Sequence, residues 1–134
     1  MEMIANIDVD DLDKAVAFYR DALNLRPERR LFGGSVVEMT GASSKIHLLA
    51  KDPHSAASSQ AQSLRSYQRH WTPVHLDFPV EDVENAVNRA VAAGATLEGD
   101  IQSFNWGRLA TLSDPFGHGF CLLQFAGNGY EEVA

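Results

Sequence analysis

The chain repeats itself, and the repeat limits the folds open to it more than any other feature. Ile4-Ala5-Asn6-Ile7-Asp8-Val9-Asp10-Asp11-Leu12 can be laid on His75-Leu76-Asp77-Phe78-Pro79-Val80-Glu81-Asp82-Val83 at a constant offset of 71 residues. Ala5, Ile7 and Val9 alternate with Asn6 and Asp8, and Leu76, Phe78 and Val80 alternate with His75 and Asp77, the period of a strand with one apolar face. Asp10 or Asp11, and Glu81 or Asp82, then offer a carboxylate to the orphan N–H groups of a helix start. Leu12, Ala15, Val16, Tyr19, Ala22 and Leu23 fall on one helical stripe, as do Val83, Ala86, Val87, Ala90 and Val91. Asn24 and Gly94 suit the left-handed residue that ends a helix.

Past each helix the periodicity shortens to that of strands, expected at 29–32, 36–40 and 45–50, and again at 96–98, 108–113 and 120–125. Gly33-Gly34, Gly41-Ala42, Gly107 and Asp114-Pro115-Phe116-Gly117 punctuate them as turns. The unit is strand, helix and three strands, written twice: a module at 1–51, a linker at 52–70, a module at 71–126 and a tail at 127–134. The Ser/Ala/Gln-rich stretch 55–63 reads as surface linker, with a short helix near 62–69. Connections usually run roughly 4–6 residues, so one this long points to a functional or dimer-spanning role.

At 134 residues, 45% of them hydrophobic, the two modules together suit one domain with its own core. Eleven Lys and Arg against eighteen Asp and Glu leave a net charge of −7, so no nucleic-acid or anionic membrane partner is expected. No apolar stretch approaches the roughly 18 residues that cross a bilayer. The single cysteine, Cys121, forms no internal disulfide, which suits a reducing cytoplasm.

The run Asp11-Leu12-Asp13-Lys14-Ala15-Val16-Ala17-Phe18-Tyr19-Arg20-Asp21-Ala22-Leu23, Ala92-Ala93-Gly94-Ala95 at the second helix end, and Asp114-Pro115-Phe116-Gly117-His118 before the last strand stand in a characteristic order. With them the chain resembles the vicinal oxygen chelate superfamily, which includes glyoxalase I, bleomycin-resistance proteins, fosfomycin-resistance proteins, methylmalonyl-CoA epimerase and extradiol dioxygenases. The resemblance implies an α+β fold, two tandem βαβββ modules whose curled mixed sheets form a cleft, and a homodimer. It also implies where metal-dependent members hold their ion, on the first and last strand of each module. Carried onto this chain those positions are Ile4, His47, His75 and Cys121, of which His75 alone matches the common His. Ile4 has no lone pair and no position supplies the usual carboxylate, so no metal or other cofactor is expected.

Zinc also accepts two imidazoles and a thiol, which keeps a rearranged His47, His75 and Cys121 site as an alternative. Against it, a free cysteine is most often a small buried hydrophobe. His75 and Asp77 lie two apart on one strand and share a face, as an acid–base pair would, and Asn6 and Asp8 share the matching face of the other module. Arg65, Tyr67, Arg69, His70 and Trp71 read either as a clamp for an anionic or planar ligand or as a solvated linker whose aromatics pack inward, and Trp106 with Arg108 forms a second pair of this kind. His54 and His118 are expected to face solvent. The cleft candidates are therefore Asn6, Asp8, His47, His75, Asp77, Trp106, Arg108 and Cys121, with a small organic molecule as the expected partner. The alternative is a lyase, isomerase or dioxygenase using the His/His/Cys site or the His75 and Asp77 pair.

Overall fold

The alternating segment Ile4–Val9 forms β1, and Asp11 closes it by capping the next element: its carboxylate accepts from the Lys14 amide at 3.0 Å and starts α1 (Leu12–Leu23). Asn24 ends α1 in the left-handed conformation. β2 (Arg26–Leu31), a 3₁₀ turn at Phe32–Gly34, β3 (Val36–Thr40) and β4 (Lys45–Ala50) follow. The second copy repeats the plan with β5 (Leu76–Pro79) and α2 (Val83–Ala93), where Asp82 accepts from the Asn85 amide at 3.0 Å and Gly94 is the left-handed cap. β6 (Thr96–Leu97), β7 (Gln102–Phe104), β8 (Gly107–Ser113) and β9 (Gly119–Phe125) complete it.

The structure is a computed structural model describing residues 1–134, which form two compact units, Met1–Gln68 and Arg69–Ala134. In the first, the sheet order is β1-β4-β3-β2, with β1 parallel to β4 and the other pairs antiparallel. Ile46 and Leu48 of β4, Val37 and Met39 of β3, and Ala15, Phe18, Tyr19 and Ala22 of α1 are buried, and α1 packs on β2, β3 and β4. In the second, the order is β5-β9-β8-β6, with β5 parallel to β9, and α2 packs on β6, β8 and β9 over Leu112, Leu122 and Ala110. Each helix thus covers one sheet face, and the opposite face carries a polar rung beside apolar ones, Val36 with Leu49 in the first unit and Leu109 with Leu123 in the second. No helix is long and apolar enough to cross a membrane.

Three local expectations change. No helix forms near 62–69, because long-range bonds hold that stretch extended: the Arg65 amide donates to Ser55 O at 2.9 Å, and the Tyr67 hydroxyl to Lys51 O at 2.6 Å. The second unit has an extra strand, β7, which folds back on β8 through the two-residue turn Asn105-Trp106. Gly129–Val133 winds into a 3₁₀ turn that sets the Tyr130 ring 5.1 Å from Trp106.

Candidate active site on the polar sheet faces

Register decides which side chains meet. In the second unit Asp77 pairs with Cys121 and Cys121 with Thr111, and the Glu98 amide donates to Thr111 O at 2.8 Å. Cross-strand partners share a face, so one rung across this sheet carries Asp77, Cys121, Thr111 and Glu98 on the side away from α2. His75 joins it from just before β5, with Nε2 3.2 Å from Asp77 Oδ1. Both are well exposed, whereas Cys121 is buried and its Sγ lies 3.9 Å from Thr111 Oγ1. Burial pushes the Cys121 thiol up, the hydrogen bond with Thr111 opposes it in part, and the Asp77 charge adds to the rise. That is the reverse of what a nucleophilic cysteine needs.

At the other end of the rung Arg69 grips Glu98 with two bonds, Nε to Oε2 at 2.8 Å and Nη2 to Oε1 at 3.0 Å, and holds the Glu98 carboxyl below its ordinary value. Its guanidinium crosses the start of β9 at Gly119, where a Cβ would stand 2.7 Å from Nη2. The obstacle is the tip of a flexible side chain. Gly119→Ala is therefore expected to fold with a stability change under about 1 kcal/mol, while moving Arg69 off its seat. Loss of the Arg69 to Glu98 contact, with the melting temperature nearly unchanged, checks it.

The matching rung of the first unit runs Asn6, His47, Glu38, Arg29. Glu38 is buried at 2% exposure and accepts from Arg29 Nε at 2.9 Å, Lys45 Nζ at 3.0 Å and His47 Nε2 at 2.9 Å. Those donors, Arg29 first, hold its carboxyl down from 4.5 to about 2. A carboxyl depressed on folding adds stability that is present above its unfolded value and is lost as pH falls through its folded value. The stability difference between the wild type and Glu38→Gln is thus expected to stay constant above pH 4.5 and to vanish toward pH 2, as urea denaturation across pH would show. Sequence reading missed Glu38, whose signal was one acid inside the apolar strand Val36-Val37-Glu38-Met39.

Other candidates lie apart from these rungs. Asp8 accepts from Arg65 Nε at 2.6 Å, and Arg65, 15% exposed, also bonds Ser55 and Ala56, so it is a tether and not a solvated linker residue. Arg108 alternates with Thr111 onto the α2 side and donates to Glu84 at 2.8 Å. Trp106 stacks on Phe104 at 5.3 Å and meets Phe125 and Tyr130, whereas Trp71 is 82% exposed and does not pack inward. His118 is half-buried, with its ring 6.5 Å from His70, and not solvent-facing as expected.

The donor atoms of His75, Asp77 and Cys121 all lie within 4.8 Å of one another. Ligands of tetrahedral zinc sit roughly 3.3–3.8 Å apart, so a small inward movement would fit that ion, and zinc would itself deprotonate the thiol. One carboxylate, one imidazole and one thiol do not suit an oxygen-rich Mn, Ni or Fe site. His47 belongs to the other unit and is engaged with Glu38.

The model of the family described as glyoxalase-like domain matches residues 5–123. The anthracycline biosynthesis protein DauV of Streptomyces sp. (strain C5) is 30% identical over 115 residues, 86% of this chain and 38% of that protein. The chain spans about a third of the length of the curated relatives it matches. Among solved structures, the hypothetical protein SA1046 from S. aureus is 25% identical with a TM-score of 0.71, covering 92% of this chain and 93% of that one. The fosfomycin resistance protein FosX from Listeria monocytogenes superposes with a TM-score of 0.72 at 22% identity, covering 99% and 94%.

Proposed function

Since the chain belongs to the glyoxalase-like domain family, within the vicinal oxygen chelate superfamily, we propose that it binds a small organic molecule on the polar sheet face of its second unit. The observation that carries this reading is the exposed His75 and Asp77 pair, 3.2 Å apart, beside the buried Cys121 and the half-buried Thr111. It joins hydrogen-bonding groups that fix a ligand's orientation to a partly apolar floor, the mixture that small-molecule sites use. That DauV is named for anthracycline biosynthesis agrees with the reading. Thermal unfolding in the presence of small phenols, carbonyl compounds and carboxylic acids tests it. A binder at 100 times its Kd is expected to stabilise the chain by about 2.7 kcal/mol. If no compound in such a panel stabilises the chain, the reading falls.

A second reading is favoured by the closeness of His75, Asp77 and Cys121. In it these three hold zinc, and the chain is a lyase, isomerase or dioxygenase of the superfamily. Bound zinc would supply a Lewis acid, while Asp77 and His75 orient the substrate. Protein purified without a polyhistidine tag is expected to carry no stoichiometric zinc. Zinc that is present and lost in Cys121→Ser would promote the second reading.

The same proposal includes pairing of two copies. β1 is a sheet edge in the first unit, and Met3 just before it and Ile4 at its start are 65% and 49% exposed, a combination that association would cover. Sedimentation is expected to show a dimer, and monomer alone at high micromolar concentration would contradict it.

A further inference from the structure

Arg69 stands on the same sheet face as His75 and Asp77 without being part of that pair. Its guanidinium lies over Gly119, two residues before Cys121 along β9, where no side chain obstructs it. Glu98 takes Nε and one Nη2 hydrogen, and the His70 carbonyl takes one from Nη1. An arginine has five N–H groups, so two remain without a protein acceptor. The side chain is 40% exposed, which leaves them within reach of a ligand. Glu98 holds the fork in a fixed orientation, so little side-chain freedom is lost when an anion arrives.

Distance then limits the ligand. Two residues along a strand span roughly 6.6 Å and neighbouring strands lie roughly 4.8 Å apart, so Asp77, the ladder partner of Cys121, stands on the order of 8 Å from Gly119. A molecule with a hydroxyl or carbonyl at the His75 and Asp77 end and an anion about one benzene ring away reaches both ends of the face. We infer that Arg69 is the specificity-determining residue of this site, selecting small molecules that carry a carboxylate or phosphonate opposite the group held by His75 and Asp77. This rests on the proposed ligand-binding role of that pair. A guanidinium fork matches either oxyanion.

The test compares 4-hydroxybenzoate, 4-hydroxyphenylphosphonate and the neutral 4-hydroxybenzamide by calorimetric titration. Either anion is expected to bind roughly tenfold or more tightly than the amide, the scale of a charge-assisted hydrogen bond. The ratio between the two anions tells which oxyanion the fork prefers. Arg69→Ala is expected to bring acid and amide to about equal affinity. Gly119→Ala, which moves Arg69 without removing it, is expected to lower the acid-to-amide ratio in the same direction, and Arg69→Lys to restore part of it. Glu98→Gln is expected to raise the ratio, because a competing anion has gone, an outcome that a purely structural role for Arg69 would not give. If acid and amide bind alike in the wild type, or the ratio survives both Arg69→Ala and Gly119→Ala, the role of Arg69 is overturned while ligand binding stands. If none of the three compounds binds while another compound of the thermal panel does, the role of Arg69 falls and ligand binding stands; if no compound of the panel binds, both fall.

Discussion

Gly107→Ala is expected to destabilise the chain by on the order of 3 kcal/mol, by far more than the same change at Gly119. Gly107 holds φ at +151°, a region that side chains rarely allow, and an added Cβ would stand 2.2 Å from the Gln124 carbonyl oxygen and 3.0 Å from the Phe125 Cα. These obstacles are backbone. They cannot swing aside, because Gly107 pairs with Phe125 in the β8 and β9 ladder and the Ala126 amide donates to Trp106 O at 2.9 Å. Yielding there would also pull Trp106 away from Phe125 and Tyr130. Urea denaturation followed by tryptophan fluorescence measures both effects. A change within about 0.5 kcal/mol would show that the turn relaxes far more easily than its contacts imply.

His75→Ala is expected to weaken binding of 4-hydroxybenzoate by roughly 10–100-fold, the range for losing a hydrogen bond to a charged or buried polar partner. Asp77→Asn is expected to act in the same range, because Asp77 orients the imidazole from 3.2 Å. The two side chains make one unit, so the double variant should bind about as weakly as the worse single one. Calorimetry on all three variants reads this directly, and additive losses would mean that the two residues contact the ligand independently. Neither change should disturb folding much, since both side chains are well exposed.

What the sequence made legible was local. An N-cap at Asp10 or Asp11 and at Glu81 or Asp82, which the structure resolves to Asp11 and Asp82, left-handed caps at Asn24 and Gly94, and the alternation through β1 and β5 each depend on residues within a turn of one another. The runs 11–23, 92–95 and 114–118, in their order within the repeat, carried the family resemblance, and the glyoxalase-like domain match over residues 5–123 agrees with it. What stayed hidden depends on strand register and long-range pairing. Glu38 meets Arg29 and His47 only once β2, β3 and β4 are aligned, and Arg69 meets Glu98 across 29 residues of chain. Arg65 read either as a ligand clamp or as solvated linker because its partner, Asp8, lies 57 residues earlier. For Arg108 the parity of β8 was the missing fact: pairing with Gln124 turns it toward α2, where Glu84 takes its charge. β7 was missed because three residues that end in a two-residue turn carry almost no periodic signal.

Ligand binding on the polar face of the second unit is tested most directly by amide proton–nitrogen correlation spectra of tag-free protein titrated with 4-hydroxybenzoate. Saturable shifts concentrated at His75, Asp77, Thr111 and Cys121, and absent in His75→Ala, are the expected result. No saturable shift, shifts scattered over the chain, or the same shifts in His75→Ala would contradict it.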